Sequence, residues 1–593
     1  MSAAHELVER GFSVRVFEKK PAIPGGKARS VPVPESASGG REPLPGEHGF
    51  RFFPGFYRHV TDTMRRIPFG DNENGVFDNL VPTDRITVAR TGHAPIVTPA
   101  HFPRSLADVR TLVNALTHAH AGLTHEEKAF FAARIWQLMT SSRERRINDY
   151  ERLGWWAYCQ ADRFSEAYRS LFVKGLTRTL VAAKAREAST KTGGDIFLQL
   201  LFNMANPDVM TDRVLNGPTN AVWIDPWLAY LRARGVDYQF GATVAGIECE
   251  EVRKGEHAVT GVRIRRDDGT EERVAADYVI AAVPVEQMAP LVTPALAAAA
   301  PTLRGVCALA PDVAWMTGIQ YYLRSRLVIA RGHVIYSDTP WALTSISQLP
   351  FWTGFDITKY GNGEVQTVLS VDISDWDTPG LNGKRARDCT RTEIHDEVFA
   401  QLQQALADAP DVVLRREDIV DWFLDRDIAY DDGDPPIPPP DAGGGCAPRP
   451  TAHPSEAADF HTVNKEPLLV NKVNTWALRP DATTAIPNFF LAADYVRTNT
   501  DLATMEGANE AARRAVNGIV LASGADVPLC DVWDLHEPLV LKPLRWLDQR
   551  RYRRGLPWTD EVPLLFRLAH RVLGWLRPRN PSTPAVGQPA GEA

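Results

Sequence analysis

The period of the hydrophobic positions changes repeatedly along the chain, and the changes mark out elements. Ser2 to Arg10 reads as a helix, Gly11 as its stop, and Phe12 to Phe17 as a short apolar strand that ends on Glu18. Apolar residues spaced by three and four predict helices over Leu106–Leu116, Glu126–Met139 and Ser165–Ala183. Asp225–Arg234 predicts another helix, stopped by Gly235, and Val236–Phe240 a strand. A hairpin is expected around Asp267-Asp268-Gly269, and the continuous apolar run Tyr278–Val283 predicts a buried strand. Strand, turn and helix return at Asn488–Asp494 and Met505–Leu521. Residues 31–60, rich in Gly, Pro and aromatics, read as an extended loop, and the Pro/Gly-rich stretch 434–454 as a disordered insertion. The pattern predicts an α/β fold.

At 593 residues the chain exceeds what one core supports, so several domains are expected. The element pattern divides it into a nucleotide-binding part over 1–85, a helical substrate-facing part over 86–215, and a second nucleotide-binding part over 216–298. A substrate domain over 299–475 follows, then a third nucleotide-binding part over 476–530 and a basic tail over 531–593. A net charge of −7 offers no general reason to bind nucleic acid. The six cysteines are scattered without a close pair, which favours neither a disulfide framework nor a zinc site and makes a reducing cytoplasm the default. No metal site is expected. No long apolar core opens the chain as a signal peptide would, and no run of about 18 apolar residues predicts a spanning helix.

The tail changes the picture. Residues 541–580 carry ten Lys and Arg against three Asp and Glu. Leu564, Leu565, Leu568, Val572, Leu573 and Leu576 share one face, with Arg567, His570, Arg571 and Arg577 largely opposite. Two readings fit this pattern: an interfacial helix on an anionic membrane face, or a helix packed on the protein with a solvated basic side.

Candidate chemistry begins at Glu18. An acid closing the second strand of a βαβ unit accepts hydrogen bonds from ribose hydroxyls, though a solvated strand end reads the same way. Such an acid normally follows a Gly-rich turn by roughly 20 positions, so the first strand and that turn are expected immediately before Met1. Gly25-Gly26 lets backbone approach a ligand closely, and Arg29 is placed to meet a phosphate; alone, a Gly pair is only a turn. Near the other end, an apolar strand delivers Asp494, and the helix from Met505 starts with the small residues Gly507 and Ala508, leaving room for a flat ring.

These segments, with Gly46–Phe50, Val244–Ile247 and Asp277–Pro284, resemble in order the FAD-dependent flavin amine oxidase superfamily. Within it the chain looks most like the phytoene/carotenoid desaturase and squalene-oxidising branch. The resemblance implies a Rossmann-like FAD-binding domain, here without its first strand and GxGxxG turn, plus an α+β substrate domain and a helical C-terminal tail. It implies that Glu18 binds the adenosine ribose, Arg29 lies by the phosphates or flavin, and Val244 contacts adenine through its backbone. Asp494 would serve the ribityl–phosphate region and Met505, Gly507 and Ala508 the pyrimidine end of the flavin. His48, Gly49 and Phe50 would lie near the isoalloxazine.

Three functions follow from this reading. The first is oxidation of an apolar isoprenoid by hydride transfer to flavin, in the cytoplasm with peripheral contact at the inner membrane face through residues 541–580. The aromatic run Phe50, Phe52, Phe53, Phe56 and Tyr57 would line its tunnel, or else form ordinary core. The second is oxidation of a soluble amine, for which Trp476 and Tyr495 would frame the flavin and Lys465 or Lys472 would lie near it, although a surface position reads more readily for each lysine. The third is an N-terminally truncated product unable to hold FAD. No residue is assigned as the catalytic acid or base.

Overall fold

The computed structural model describes residues 1–100, 122–175, 184–204, 206, 210, 212–409, 412–430 and 462–560. The helix expected at 106–116, the insertion at 434–454 and the amphipathic stretch at 564–576 lie outside the described residues.

Short parallel strand pairs bring distant parts of the chain together. The helix Ser2–Glu9 leads into the strand Arg15–Phe17, which pairs in parallel with Asp237–Gln239. Val279–Ala281 pairs in parallel with Phe489–Leu491. Both pairings join the apolar runs that the sequence pattern marks as strands. The long helix Met505–Ser523 follows, its start capped by the Thr504 hydroxyl accepting from the Gly507 amide at 3.1 Å and its end closed by Gly524 at φ 67°. Its small residues pack with the parallel strands and with Leu296, Leu303 and Leu309 in one core. Three antiparallel strands, Ala242–Arg253, Glu256–Arg266 and Glu271–Val274, form a meander whose second turn is the expected Asp267–Gly269.

The second layer is a seven-stranded sheet in the order Ile419–Leu424, Thr317–Leu323, Thr367–Ile373, Leu343–Ser347, Gly332–Tyr336, Arg85–Arg90, His93–Pro99. All its pairings are antiparallel except that between Gly332–Tyr336 and Arg85–Arg90. Helix Arg391–Ala405 covers one face through Ile394, Val398, Phe399 and Leu402. Strands Arg85–Arg90 and His93–Pro99 thus join the sheet from a stretch that reads as helical in the sequence. The chain is a mixed α/β protein built around this large sheet.

Three further features differ from the sequence pattern. Residues 31–60 contain the strand Pro45–Glu47 and the start of helix His59–Arg65, held because buried Glu506 accepts from the amides of Arg58, His59 and Val60 at 2.8–2.9 Å. The region after Ser165 is a single α-turn followed by a π-helical segment, Arg169–Lys174. Cys159, Cys249, Cys389 and Cys530 are free, whereas Cys307 is disulfide-bonded, a pairing that the spacing of the cysteines did not announce.

The described part of the tail, helix Lys542–Tyr552, is docked on the helical block. Asp548 accepts from Arg145 Nε at 2.9 Å, and Arg545 Nε donates to the Met139 carbonyl at 2.9 Å. Among the described residues no helix is long and apolar enough to cross a membrane.

Candidate active site

A cavity of about 1180 Å³ runs from the strand end at Glu18 to the floor formed by the large sheet. Ten of the twelve residues singled out from the sequence line it: Glu18, Gly25, Gly26, His48, Gly49, Phe50, Val244, Asp494, Met505 and Ala508. Residues more than 450 positions apart in the chain therefore share one wall.

Each is placed by its element. Glu18 extends the parallel pairing, its amide donating to the Gln239 carbonyl at 2.8 Å, and its carboxylate accepts from the Lys20 amide at 3.0 Å. Gly25 has φ +107°, and a Cβ there would lie 2.4 Å from the Ala28 carbonyl, so only glycine is accommodated. Asp494 follows the buried strand Phe489–Leu491; its carbonyl accepts from Arg479 Nη1 at 2.8 Å, and its Oδ1 is buried with no protein partner. Met505 and Ala508 present the first turn of the long helix.

Arg29 and Gly507 do not line the cavity. Gly507 packs under the loop before its helix, where a Cβ would lie 2.6 Å from the Leu502 carbonyl. Arg29 is buried beside the cavity in an ion-pair network. Its Nη1 donates to Glu466 Oε2 at 2.8 Å and its Nη2 to Asp427, while Asp425 accepts from His48 Nδ1 at 2.6 Å. Lys20 pairs with Glu466 at 2.5 Å. Its carboxylate neighbours push the Arg29 pKa upward despite burial, and Glu466 drops to about 2 against its own burial because Arg29 and Lys20 face it. Ligand-type atoms of His48, Asp427 and Glu466 lie within 4.8 Å of one another, but Arg29, Lys20 and Asp425 already engage them.

The aromatic run divides. Phe50, Phe52, Phe56 and Tyr57 line the cavity, whereas Phe53 is core, edge-on to Trp223 at 5.5 Å. Trp476 and Tyr495 are absent from the wall: Trp476 lies under Lys191 Nζ at 3.9 Å, and Tyr495 is fully buried in the core of the nucleotide-binding layer. Lys465 reaches the wall, and Lys472 is paired with Asp312 at 3.1 Å.

Sequence reasoning missed Glu286, Asp372 and His333, all on the wall. Both Glu286 carboxylate oxygens are buried without a hydrogen-bond partner, and burial pushes its pKa up to about 7 despite Lys27 at 3.9 Å. An acidic residue five positions past the apolar strand was the available signal.

The chain's sequence matches the profile described as flavin containing amine oxidoreductase over residues 1–315. The chain belongs to this family. It is an FAD-dependent oxidoreductase. The orphaned Asp494 Oδ1, the glycine-only turn at Gly25 and the free length of the cavity fit that cofactor. The fold of this flavin oxidoreductase is shared with cyclohexylamine oxidase from Brevibacterium oxydans IH-35A, at 13% identity and TM-score 0.51 over 89% of this chain and 97% of that one. It is shared also with a putrescine oxidase bound to putrescine, at 11% identity and TM-score 0.52 over 88% and 96%. An oxidoreductase from Methanosarcina mazei matches at 14% identity and TM-score 0.49 over 88% and 97%. No curated protein matches the chain.

Proposed function

We propose that the chain dehydrogenates a substrate with a large apolar body, of the carotenoid- or squalene-like isoprenoid class. When bound, FAD supplies the two-electron acceptor. The chain's own residues do the rest. Glu18 would accept from ribose hydroxyls, Gly25 and Gly26 would admit a close backbone approach, and Val244 would hold the adenine. Asp494 accepts from a ribityl hydroxyl, which satisfies its otherwise unpaired oxygen. Met505, Ala508, His48, Gly49 and Phe50 would line the place of the ring. Arg29 acts by positioning His48 through the shared carboxylates Asp425 and Asp427.

One observation carries the substrate class. Beyond the nucleotide end the wall is mainly hydrocarbon: Phe50, Phe52, Phe56, Ile196, Phe197 and Leu200. Such a wall excludes water and rewards an apolar ligand. The exposed side of the tail supports delivery from an anionic membrane face, because Leu539, Val540 and Trp546 stand in solvent and Arg550 lies over the Trp546 ring.

A soluble amine is the second reading. The fold is shared with oxidases named for cyclohexylamine and putrescine. The positions of Trp476 and Tyr495, away from the cavity, argue against it. The test is anaerobic reduction of the flavin-loaded protein, followed at about 450 nm, where oxidised flavin absorbs. Bleaching by squalene or a C40 polyene in detergent, with none by cyclohexylamine or putrescine, is expected. Bleaching by the amines alone overturns the isoprenoid reading.

A further inference from the structure

We propose that the sheet floor of the cavity carries a recognition site for a hydrogen-bond-donating group of the substrate, a hydroxyl or a neutral amine, built from Asp372, His333 and Thr344. This rests on the reading that the cavity holds the substrate as well as FAD, and it narrows that substrate from a bare hydrocarbon to one with a polar handle.

The three residues lie on three neighbouring strands and share one face. Thr344 stands directly opposite Asp372 in the antiparallel register, and it also stands opposite Ile335, which puts His333, two residues away, on the same side. All three line the cavity. The surroundings are hydrocarbon: the Phe50 and Phe52 rings lie 5.2 and 5.5 Å from the His333 ring.

Polar side chains in such a place cost stability unless something pairs with them. Asp372 is 8% exposed and His333 6%, and both keep an unpaired atom: Asp372 Oδ1 and His333 Nε2 have no partner in the protein. Leucine or valine would fill these positions without that cost. The floor also approaches the candidate flavin region, since a Cβ on Gly49 would meet Asp372 Oδ1 at 2.7 Å. The charge state suits a neutral donor. Burial drives His333 down to about 4, so it is uncharged near neutrality, and burial drives Asp372 up to about 7 with Arg51 opposing. A ligand O–H or N–H can thus donate to Asp372 without a strong charge imbalance.

The experiment uses the flavin-loaded full chain and calorimetric titration at neutral pH with 1-octanol, 4-butylaniline (an amine that is uncharged there) and octyl methyl ether, the last lacking a donor. The readout is the affinity ratio of each donor probe to the ether, compared between wild type and Asp372→Leu. That ratio is expected to fall about fivefold in the variant, the worth of one hydrogen bond. His333→Leu, expected to lower the ratio by a smaller factor, serves if Asp372→Leu does not fold. An unchanged ratio in the folded variants overturns the proposal, as does failure of wild type to bind any probe. Flavin content is measured on the same samples. Full flavin with an unchanged ratio defeats this inference alone, whereas a preference for the donor probes in protein that takes up no FAD supports it and defeats the cofactor assignments.

Discussion

Arg29 Nη1 donates to Glu466 Oε2 at 2.8 Å, joining a residue of the Gly25-Gly26 turn region to one 437 positions later. The pair belongs to a buried network in which Asp427 also accepts from Arg29. Removing one partner strands the others without compensation. Arg29→Met is therefore expected to cost about 3–5 kcal/mol of stability, the usual penalty for breaking a buried ion pair, read by denaturant unfolding. A loss of flavin affinity with unchanged stability would instead give Arg29 a direct phosphate contact.

Asp494 is the converse case, a half-buried acid with one buried oxygen that the protein leaves unpaired. Asp494→Ala is expected to weaken FAD binding about tenfold, as loss of one hydrogen bond to a carboxylate does. Flavin fluorescence quenching on reconstitution measures it. Unaltered affinity would remove Asp494 from the cofactor site.

Gly507 tests a backbone constraint rather than a contact with ligand. A Cβ would lie 2.6 Å from the Leu502 carbonyl, which is main chain and cannot swing aside. Gly507→Ala should lower stability by about 1–3 kcal/mol, the range for overpacking, although alanine is the better helix former. An equal or higher melting temperature would show that the loop before the helix yields.

These cases mark what the sequence revealed. The strand–acid–helix order from Phe489 to Ser523 is legible because the apolar run, Asp494 and the small-residue helix start each carry a local signal, to which the structure adds the Thr504 cap and the Gly524 stop. Arg29 was assigned to phosphate because its local context suggests one, while its actual partners come from residues 425–466 and no short-range pattern announces them. His333 and Asp372 were passed over for a related reason. Each is a single polar residue inside an apolar strand, and only the sheet register shows that they share a face with Thr344. The parallel pairing of Val279–Ala281 with Phe489–Leu491 was equally hidden, since a buried apolar run does not name its partner.

The basic tail separates two readings that share one sequence pattern. The described helix docks through Arg545 and Asp548, while the amphipathic stretch at 564–576, on which the two readings rest, lies outside the described residues. The 3-10 turn Leu539–Leu541 just before this helix exposes Leu539 (80%) and Val540 (75%), and the helix itself exposes Trp546 (51%), with Arg550 stacked on Trp546 at 3.8 Å. Sedimentation with vesicles containing phosphatidylserine is expected to drop about tenfold for the triple variant Leu539→Ser, Val540→Ser, Trp546→Ser, and to weaken with salt in wild type. Equal sedimentation of variant and wild type would remove these residues from any membrane contact.

The last prediction concerns pH. Burial raises four carboxyls to about 7: Glu47, Asp212, Glu286 and Asp372. A raised folded-state pKa means the folded protein holds these protons more tightly than the unfolded chain, whose carboxyls titrate near 4. The stabilisation is complete below about 4 and is lost as pH rises toward 7, because each group must then ionise in a poorly solvated place. Glu9 and Glu127, lowered to about 2, work the opposite way and are lost only in strong acid. Between pH 5 and 8 the raised group therefore dominates, and unfolding free energy should fall across that interval. Asp212 isolates the effect, since it lies away from the cavity and its Oδ1 has no partner. Asp212→Asn keeps the shape and removes the ionisation, so it should flatten the slope and gain about 1–3 kcal/mol at pH 8 relative to pH 5. Parallel melts at the two pH values check it, and an identical slope in variant and wild type would show that Asp212 is not held protonated.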